Sequence, residues 1–370
     1  MGTKKSILIF GLTSNYGGTE KITYAFLSHL DCAEYNLTFV INSKAMIITD
    51  DKIKQFDCKT LYLNTKRKGR YKAFKNELKE LFRLAKPDIV LEVFGDSTFV
   101  EPLVYAKKFS VTKRMALATM GNDVKTPNIF YRFIRYIAKI RLNNSVTHYL
   151  SVSSKSSLYT FGKSKPVTIV SGINSEQFKY NEEDRANLRN VYSIKDKDIV
   201  FSSIGRICPD KNQMFAVDFF SSYHSYNKNS YLFLIGNYED EYFNVLNKHI
   251  NSLGIQNNVF FIESQPEVKK FYSFSDIILF PSLREGFGLI ALESQANGVP
   301  CLVFEETIDS SLKISDKLVF IEKEIKIDAV TNLIDSLVKK SFDRKNAYQI
   351  IKKSPLDLSN QEKKIRDLFE

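Results

Sequence analysis

Short apolar runs rich in Ile, Val and Phe recur at residues 6–10, 37–41, 88–93, 114–119, 147–152 and 167–170. Longer segments of helical period separate them. Residues 70–85 show that period well: Tyr71, Phe74, Leu78, Leu81, Phe82 and Ala85 fall on one helix face, and Lys72, Lys75, Lys79 and Arg83 lie away from it. A polar stretch, "KYNEEDRANLRNVYSIKDKD" at 179–198, interrupts the alternation and reads as a hinge followed by a short helix. The pattern then restarts, with strands expected at 199–204, 231–235, 259–262, 276–280 and 300–304. Strands alternating with helices imply βαβ units and parallel sheets. The chain therefore reads as α/β, with two doubly wound parallel-sheet domains at 1–178 and 179–370 facing across a cleft. A terminal helix at about 357–370, within "LDLSNQEKKIRDLFE", is placed to pack back on the first domain.

Composition narrows the partners. The 370 residues are 44% hydrophobic, enough for real cores, and carry a formal net charge of +11. That surplus favours an acidic partner: nucleic acid, anionic lipid or a phosphate-bearing small molecule. No nucleic-acid-binding module is recognisable, which leaves that class behind the other two. Cys32, Cys58, Cys208 and Cys301 form no C-x-x-C pair, and a reduced compartment fits better than a disulfide framework. The four histidines show no metal spacing. No run is long enough to span a bilayer, and "ILIFGL" reads as a first strand although "MGTKKS" fits the loose myristoylation pattern.

Open α/β sheets bind ligands at the carboxyl ends of their strands, so the loops after strands carry the candidate chemistry. After the first strand, "GLTSNYGGTE" (11–20) places Gly17 and Gly18 where backbone can approach a ligand and a helix begins. It matches neither a dinucleotide fingerprint nor a Walker A loop, and a plain strand-to-helix turn is the alternative. "GRICPDKNQ" (205–213) sets Arg206 and Lys211 near a helix start, suited to a diphosphate without a metal; a solvated charged turn is the alternative. "PSLREGFGLIALE" (281–293) follows the strand "SDIILF" and opens a helix closed by Gly298. Gly286 and Gly288 permit close approach, and the helix amides suit phosphate. Glu285 and Glu293 are acceptors for hydroxyls, such as a sugar's or a ribose's; a solvated loop acid and an exposed helix acid are the alternatives. Diphosphate in the middle with a sugar at each end is the outline of a nucleotide sugar.

"EGFGLIALE" resembles the E-x7-E motif of retaining glycosyltransferases of family 4, which have the GT-B fold of two Rossmann-like domains. "NYGGTE", "IVSGINSEQF" (169–178), "GRICPDKNQ", "SDIILFPS" and "ESQANGVPCLVF" resemble further family segments in the same order. The similarity is strong in the second domain and weak between about residues 45 and 165. It implies a retaining transfer from a nucleoside-diphosphate sugar, with a UDP-sugar as the expected donor, to a hydroxyl of a glycan or lipid-linked glycan in polysaccharide biosynthesis. No cofactor and no metal are expected. The implied catalytic residues are Arg206, Lys211 and Glu285. Arg206 and Lys211 would neutralise the donor diphosphate, Glu293 would take the ribose hydroxyls and Glu285 the donor sugar. Gly286, Phe287, Gly288 and Leu289 would offer backbone amides, and Gly17 and Gly18 would approach the phosphates from the other domain. Residues around Glu263 to Gln265 would border the base.

One departure stands out. Where many members carry a histidine in a T-x-H-G or T-x-H-N pattern, "ATMGND" (118–123) has Gly121, leaving Asn122 or Asp123 as polar substitutes at the acceptor or sugar. A nucleotide-sugar-binding protein without transfer activity, or a GT-B-type sugar-nucleotide epimerase, is the alternative function. The acceptor is expected on the first domain, where the basic face of 66–86 and the run "NIFYRFIRYIAKIR" (128–141) suggest docking on an anionic bilayer; ordinary amphipathic core helices are the alternative. The expected location is the cytoplasm, with peripheral attachment to the inner face of the membrane.

Overall fold

The structure is a computed structural model that describes residues 4–12, 18–31, 33–41, 56, 58–63, 71–94, 98–121, 128–162, 167–263, 267–324, 327–339 and 344–370. It divides into two compact units, one formed by Met1–Ser171 with Gln361–Glu370 and the other by Gly172–Asn360.

Unit 1 runs β1 (Lys5–Phe10), α1 (Gly18–Leu27), β2 (Tyr35–Ile41), β3 (Cys58–Tyr62), α2 (Tyr71–Ala85), β4 (Ile89–Phe94), α3 (Glu101–Lys108), β5 (Lys113–Ala118), α4 (Ile129–Asn143), β6 (His148–Ser151), α5 (Ser154–Phe161) and β7 (Thr168–Ile169). The strands form one parallel sheet in the order β3-β2-β1-β4-β5-β6-β7. β1 is central, with Ile7 paired to Leu37 on one side and Ile89 on the other. A parallel sheet covered on both faces needs strands apolar throughout, and β4 (IVLEVF) is buried at every position. Phe74, Leu78 and Phe82 of α2 pack with Leu103 and Ala106 of α3 and Ala138 and Leu142 of α4 over Leu8, Phe10, Val90 and Phe94. Tyr71 is about two-fifths exposed, and its hydroxyl donates to Glu101 at 2.6 Å.

Unit 2 runs α6 (Glu182–Val191), β8 (Ile199–Ile204), α7 (Gln213–Tyr226), β9 (Ser230–Ile235), α8 (Asp240–Ser252), β10 (Val259–Ile262), α9 (Lys270–Phe274), β11 (Ile277–Phe280), α10 (Leu289–Asn297), β12 (Cys301–Phe304), β13 (Leu318–Ile321), α11 (Ile327–Lys339) and α12 (Tyr348–Lys352). Its parallel sheet is ordered β10-β9-β8-β11-β12-β13. Connectivity reverses direction between β8 and β11, which is where a doubly wound sheet opens a binding crevice. At the opposite end of these strands Asp276 accepts from Arg185 and Arg189, each at 2.7 Å, and from the amide of Val200 at 2.8 Å. This ties α6 to the base of the sheet.

The last helix, α13 (Glu362–Phe369), belongs to unit 1. The Phe369 ring lies 5.4 Å from Phe26 and 6.0 Å from Tyr35, and Lys364 Nζ donates to Ile169 O at 2.8 Å. The passage between units falls at Ser171/Gly172. Residues 172–178 join unit 2 because Ile173 pairs with Asp357 as an isolated bridge and Ser175 donates to the Asp357 carboxylate through amide and hydroxyl. β3 and β13 are strands beyond those expected from the hydrophobic pattern. Both are sheet edges; β3 (CKTLY) is half-polar and nowhere fully buried, and β13 is only four residues long. The architecture is that of the GT-B fold, two parallel-sheet α/β units of seven and six strands.

Candidate functional site

The loops after β8, β9 and β11 of unit 2 bring the candidate residues together. β8 is buried at all six positions, so its pairing with β9 is fixed, and it continues beyond the strand ends. Gly205 N donates to Ile235 O at 2.8 Å, and Ile207 N to Asn237 O at 2.8 Å. Gly236 packs against this turn with φ +150°, and a Cβ there would sit 2.1 Å from Gly205 O. Only glycine fits that approach.

Arg206 follows directly. It is half exposed and pairs with Glu239, from the loop after β9, at 3.4 Å. Beyond it the chain makes a 3₁₀ turn, Pro209–Lys211, and enters α7 through Asn212 in the left-handed conformation. Gln213 folds back over the turn, donating to Arg206 O at 3.0 Å while accepting from Cys208 N at 3.3 Å. Lys211 is thereby aimed at the β11 loop. Its ammonium pairs with the Glu285 carboxylate and lies 5.6 Å from the Phe280 ring centre.

The β11 loop is anchored to the β8 loop by one backbone and one side-chain hydrogen bond: Leu283 N donates to Asp210 O at 2.8 Å, and Asn212 Nδ2 to Pro281 O at 3.3 Å. A second ion pair, Arg284 with Asp210, crosses the same gap. Ser282 Oγ and Arg284 Nη1 are buried with no hydrogen-bond partner among the described residues. α10 starts at Leu289 after Gly288, whose φ of +102° and ψ of 51° are left-handed, and no side chain caps it. Ala291 N turns back to donate to Gly288 O at 3.0 Å, and the positive end of the helix dipole at Leu289 and Ile290 suits an anion. Phe287 is buried, so its ring is not offered to a ligand.

Glu293 sits one full E-x7-E spacing beyond Glu285 on α10, but in a different environment. Its side chain is only 2% exposed, and it accepts a hydrogen bond from the Tyr272 hydroxyl. Burial, then the Glu293 charge, push the Tyr272 pKa well above the usual phenol value, so that hydroxyl stays a donor. Tyr272 is fixed in turn by edge-to-face contact with Phe178 at 5.8 Å and by Arg344, which donates to its carbonyl at 2.7 Å. Burial lowers the Arg344 pKa to about 10, which leaves it charged near neutral pH.

The structure therefore brings Arg206, Lys211, Glu285, Gly286, Phe287, Gly288 and Leu289 into one loop cluster and sets Glu293 behind it. Gly18 opens α1 of unit 1, where a Cβ would meet nothing within 4 Å. Gly17, Asn122 and Asp123 lie outside the described residues, as do Gln265 and its two neighbours. The sequence reading missed Glu239, the Asp210–Arg284 pair and Tyr272. The strand-end glycine in "LIGNYED" marked the first of these loops; nothing local to "FYSFSD" marks Tyr272 as a carboxylate partner. Among the described residues no group of His, Cys, Asp and Glu is arranged to hold a metal ion. Cys58, Cys208 and Cys301 are not joined in disulfides, and burial pushes the Cys301 thiol up to about 12.

Comparison with known proteins places this geometry. Residues 184–354, which lie within unit 2, match the family model for glycosyl transferases group 1. An uncharacterized glycosyltransferase of Methanocaldococcus jannaschii is 30% identical over 56% of this chain and 48% of its own length. The capsular polysaccharide biosynthesis glycosyltransferase CapM of Staphylococcus aureus is 27% identical over 52% of this chain and 48% of its own. The chain spans about half the length of the curated relatives it matches. Among solved structures, Anabaena HepE in complex with UDP and glucose superposes with a TM-score of 0.79 at 15% identity, over 99% of both chains. The lipopolysaccharide glycosyltransferase WaaG gives 0.69 at 15%, over 97% of this chain and 99% of its own. These likenesses show a GT-B fold.

Proposed function

We propose that the protein is a retaining glycosyltransferase of family 4 that moves a sugar from a UDP-sugar to a hydroxyl of a glycan or lipid-linked glycan. The observation that carries this is the Lys211–Glu285 pair, which joins the two loops on either side of the β8/β11 reversal. A cation for phosphate and a carboxylate for sugar hydroxyls are held in one place, beside the uncapped start of α10. Two kinds of relative support the donor and acceptor classes. HepE was solved with UDP and glucose, and an Escherichia coli relative, 23% identical over 48% of this chain and 45% of its own, is a UDP-Gal:alpha-D-GlcNAc-diphosphoundecaprenol alpha-1,3-galactosyltransferase.

In this reading the donor diphosphate exchanges into existing ion pairs. It takes Lys211 from Glu285 and Arg206 from Glu239, freeing Glu285 for the sugar hydroxyls. The Arg206–Glu239 pair is exposed on both sides and worth about 0–1 kcal/mol, so exchange there costs little. The reaction follows a front-side path in which the departing phosphate takes the acceptor proton. Arg206, Lys211 and the α10 amides stabilise the leaving diphosphate without a metal. Unit 2 binds the donor, with Glu293 on the ribose; unit 1 binds the acceptor. The site works in the cytoplasm.

The test is turnover of α-configured UDP-sugars with lipid-linked and soluble glycan acceptors in metal-free buffer, with the product's anomeric configuration read by NMR. An α-linked product supports the reading. A β-linked product, or turnover that appears only with added magnesium, contradicts it.

A further inference from the structure

The positive charge of the chain is confined to one unit. Unit 1 has 31 Lys and Arg against 16 Asp and Glu, and unit 2 has 22 against 26. Between residues 101 and 171 the imbalance is sharper, 12 basic against 2 acidic. That stretch contains α4, whose surface is unlike that of any other helix among the described residues. Ile129, Phe130, Phe133 and Tyr136 are 85%, 70%, 60% and 64% exposed, and Ile134, Ile137 and Ile140 are each about two-fifths exposed. At 100° per residue these seven positions form a single arc. The packed face lies opposite, where Ala138 and Leu142 enter the unit 1 core.

Exposed apolar residues scattered singly are ordinary, but a continuous helical face of seven marks an interaction surface. Its rim is basic. Arg132 is exposed, Arg135 lies 5.1 Å over the Tyr159 ring, and Lys139 Nζ donates to Tyr159 O at 2.9 Å. Those two cations are pinned to α5, so they flank the apolar arc at fixed positions. On α5 itself Leu158 is half exposed, next to the same face. On the other side α3 presents Lys107, held to the C-terminal cap of α4 by donating to Asn144 O at 2.6 Å. A nucleic acid would match the charge but not the seven-residue apolar arc.

We propose that α4 is an interfacial anchor that seats unit 1 on an anionic lipid bilayer. Its Ile and Phe side chains enter the headgroup–acyl boundary, and the flanking Arg and Lys side chains meet lipid phosphates. Among the described residues no helix is long and apolar enough to cross a membrane, so α4 lies in the interface plane. The anchor does not depend on the transferase reading, because the test below reads lipid and not sugar.

The chain has no tryptophan, so Phe133→Trp creates a single reporter. With the full-length protein and vesicles of phosphatidylglycerol mixed with phosphatidylcholine, its emission is expected to shift to the blue and to be quenched by brominated acyl chains. Vesicles of phosphatidylcholine alone give neither change, and Val191→Trp, an exposed position in unit 2, gives neither with any vesicle. A Phe130→Ser/Phe133→Ser double variant, folded by circular dichroism, loses at least about tenfold in vesicle partitioning, because two large apolar groups no longer leave water. Added salt weakens the wild-type interaction. A Phe133→Trp protein whose emission ignores anionic vesicles overturns the proposal. So does a dimer, seen by sedimentation, that the double variant dissolves while vesicle binding is absent; the face then belongs to a second copy.

Discussion

The Tyr272 hydroxyl donates to the Glu293 carboxylate inside unit 2, and both side chains are buried. A buried carboxylate stripped of its donor carries the full desolvation penalty. Tyr272→Phe removes only the hydroxyl and is expected to cost about 1–3 kcal/mol of stability, read as a lower urea midpoint at unchanged slope. It is also expected to weaken UDP binding, since the second acid of the E-x7-E spacing loses its fixed orientation. A variant with wild-type stability and affinity would remove Tyr272 from the account.

Lys211 and Glu285 make the second prediction. Lys211→Ala is expected to weaken UDP binding by about tenfold or more, the loss of one charge-assisted hydrogen bond of about 1.5–3 kcal/mol. Lys211→Arg recovers part of that loss. Titration calorimetry checks both. Equal affinity in wild type and Lys211→Ala would detach the residue from the diphosphate.

Gly236 tests the geometry that aims Arg206. In Gly236→Ala the new Cβ would lie 2.1 Å from Gly205 O at a φ of +150°, so backbone must move. Strain of about 1–3 kcal/mol is expected, with weakened UDP binding. Gly254→Ala is the control. It has φ +67° with nothing within 4 Å of its Cβ, so it pays backbone strain far from the loops and leaves UDP affinity intact. Thermal melts and calorimetry on the pair separate strain from site damage.

Acid exposes Asp357. Burial raises its pKa, but hydrogen bonds from the side chains and amides of Ser175 and Ser359 outweigh that, and the net shift is below the ordinary 3.8. A carboxylate with a depressed folded pKa contributes stability above its unfolded value and loses it as pH falls through the folded one. The advantage of wild type over Asp357→Asn is therefore expected to be full at about pH 5 and to shrink progressively below about pH 4. Urea titrations across that range measure it; an advantage that grows with acid would contradict the assignment.

The alternation of apolar runs and helical segments was enough to read two parallel sheets, because strands buried on both faces leave runs such as "IVFSSI" that no amphipathic helix produces. β3 (CKTLY) escaped that reading because an edge strand with little burial needs no apolar run, whereas β13 (LVFI) is an apolar run of only four residues set between charged neighbours. The loop residues were legible where a glycine or a charge stood beside a strand end, as with Arg206, Lys211 and Glu285. Gly236 at the end of β9 marked the Glu239 loop in the same way, whereas nothing beside Tyr272 marks it as the partner of Glu293. The fate of Glu293 shows the same limit. Its spacing from Glu285 is visible in the chain, but its burial is set by α9 and by Phe178. Likewise the face of α4 was legible as amphipathic, while which side meets the core was decided by Ala138 and Leu142.

The central claim is a donor site in the β8, β9 and β11 loops of unit 2. It is tested most directly by thermal shift of the protein with UDP, GDP, ADP and their sugars, first without metal and then with magnesium. A ligand that binds only the native state raises its melting temperature by mass action. Stabilisation by UDP and UDP-sugars is expected, unchanged by magnesium and smaller at equal ligand concentration in Lys211→Ala. Folded protein that no nucleotide stabilises, or that UDP stabilises equally in wild type and Lys211→Ala, would contradict it.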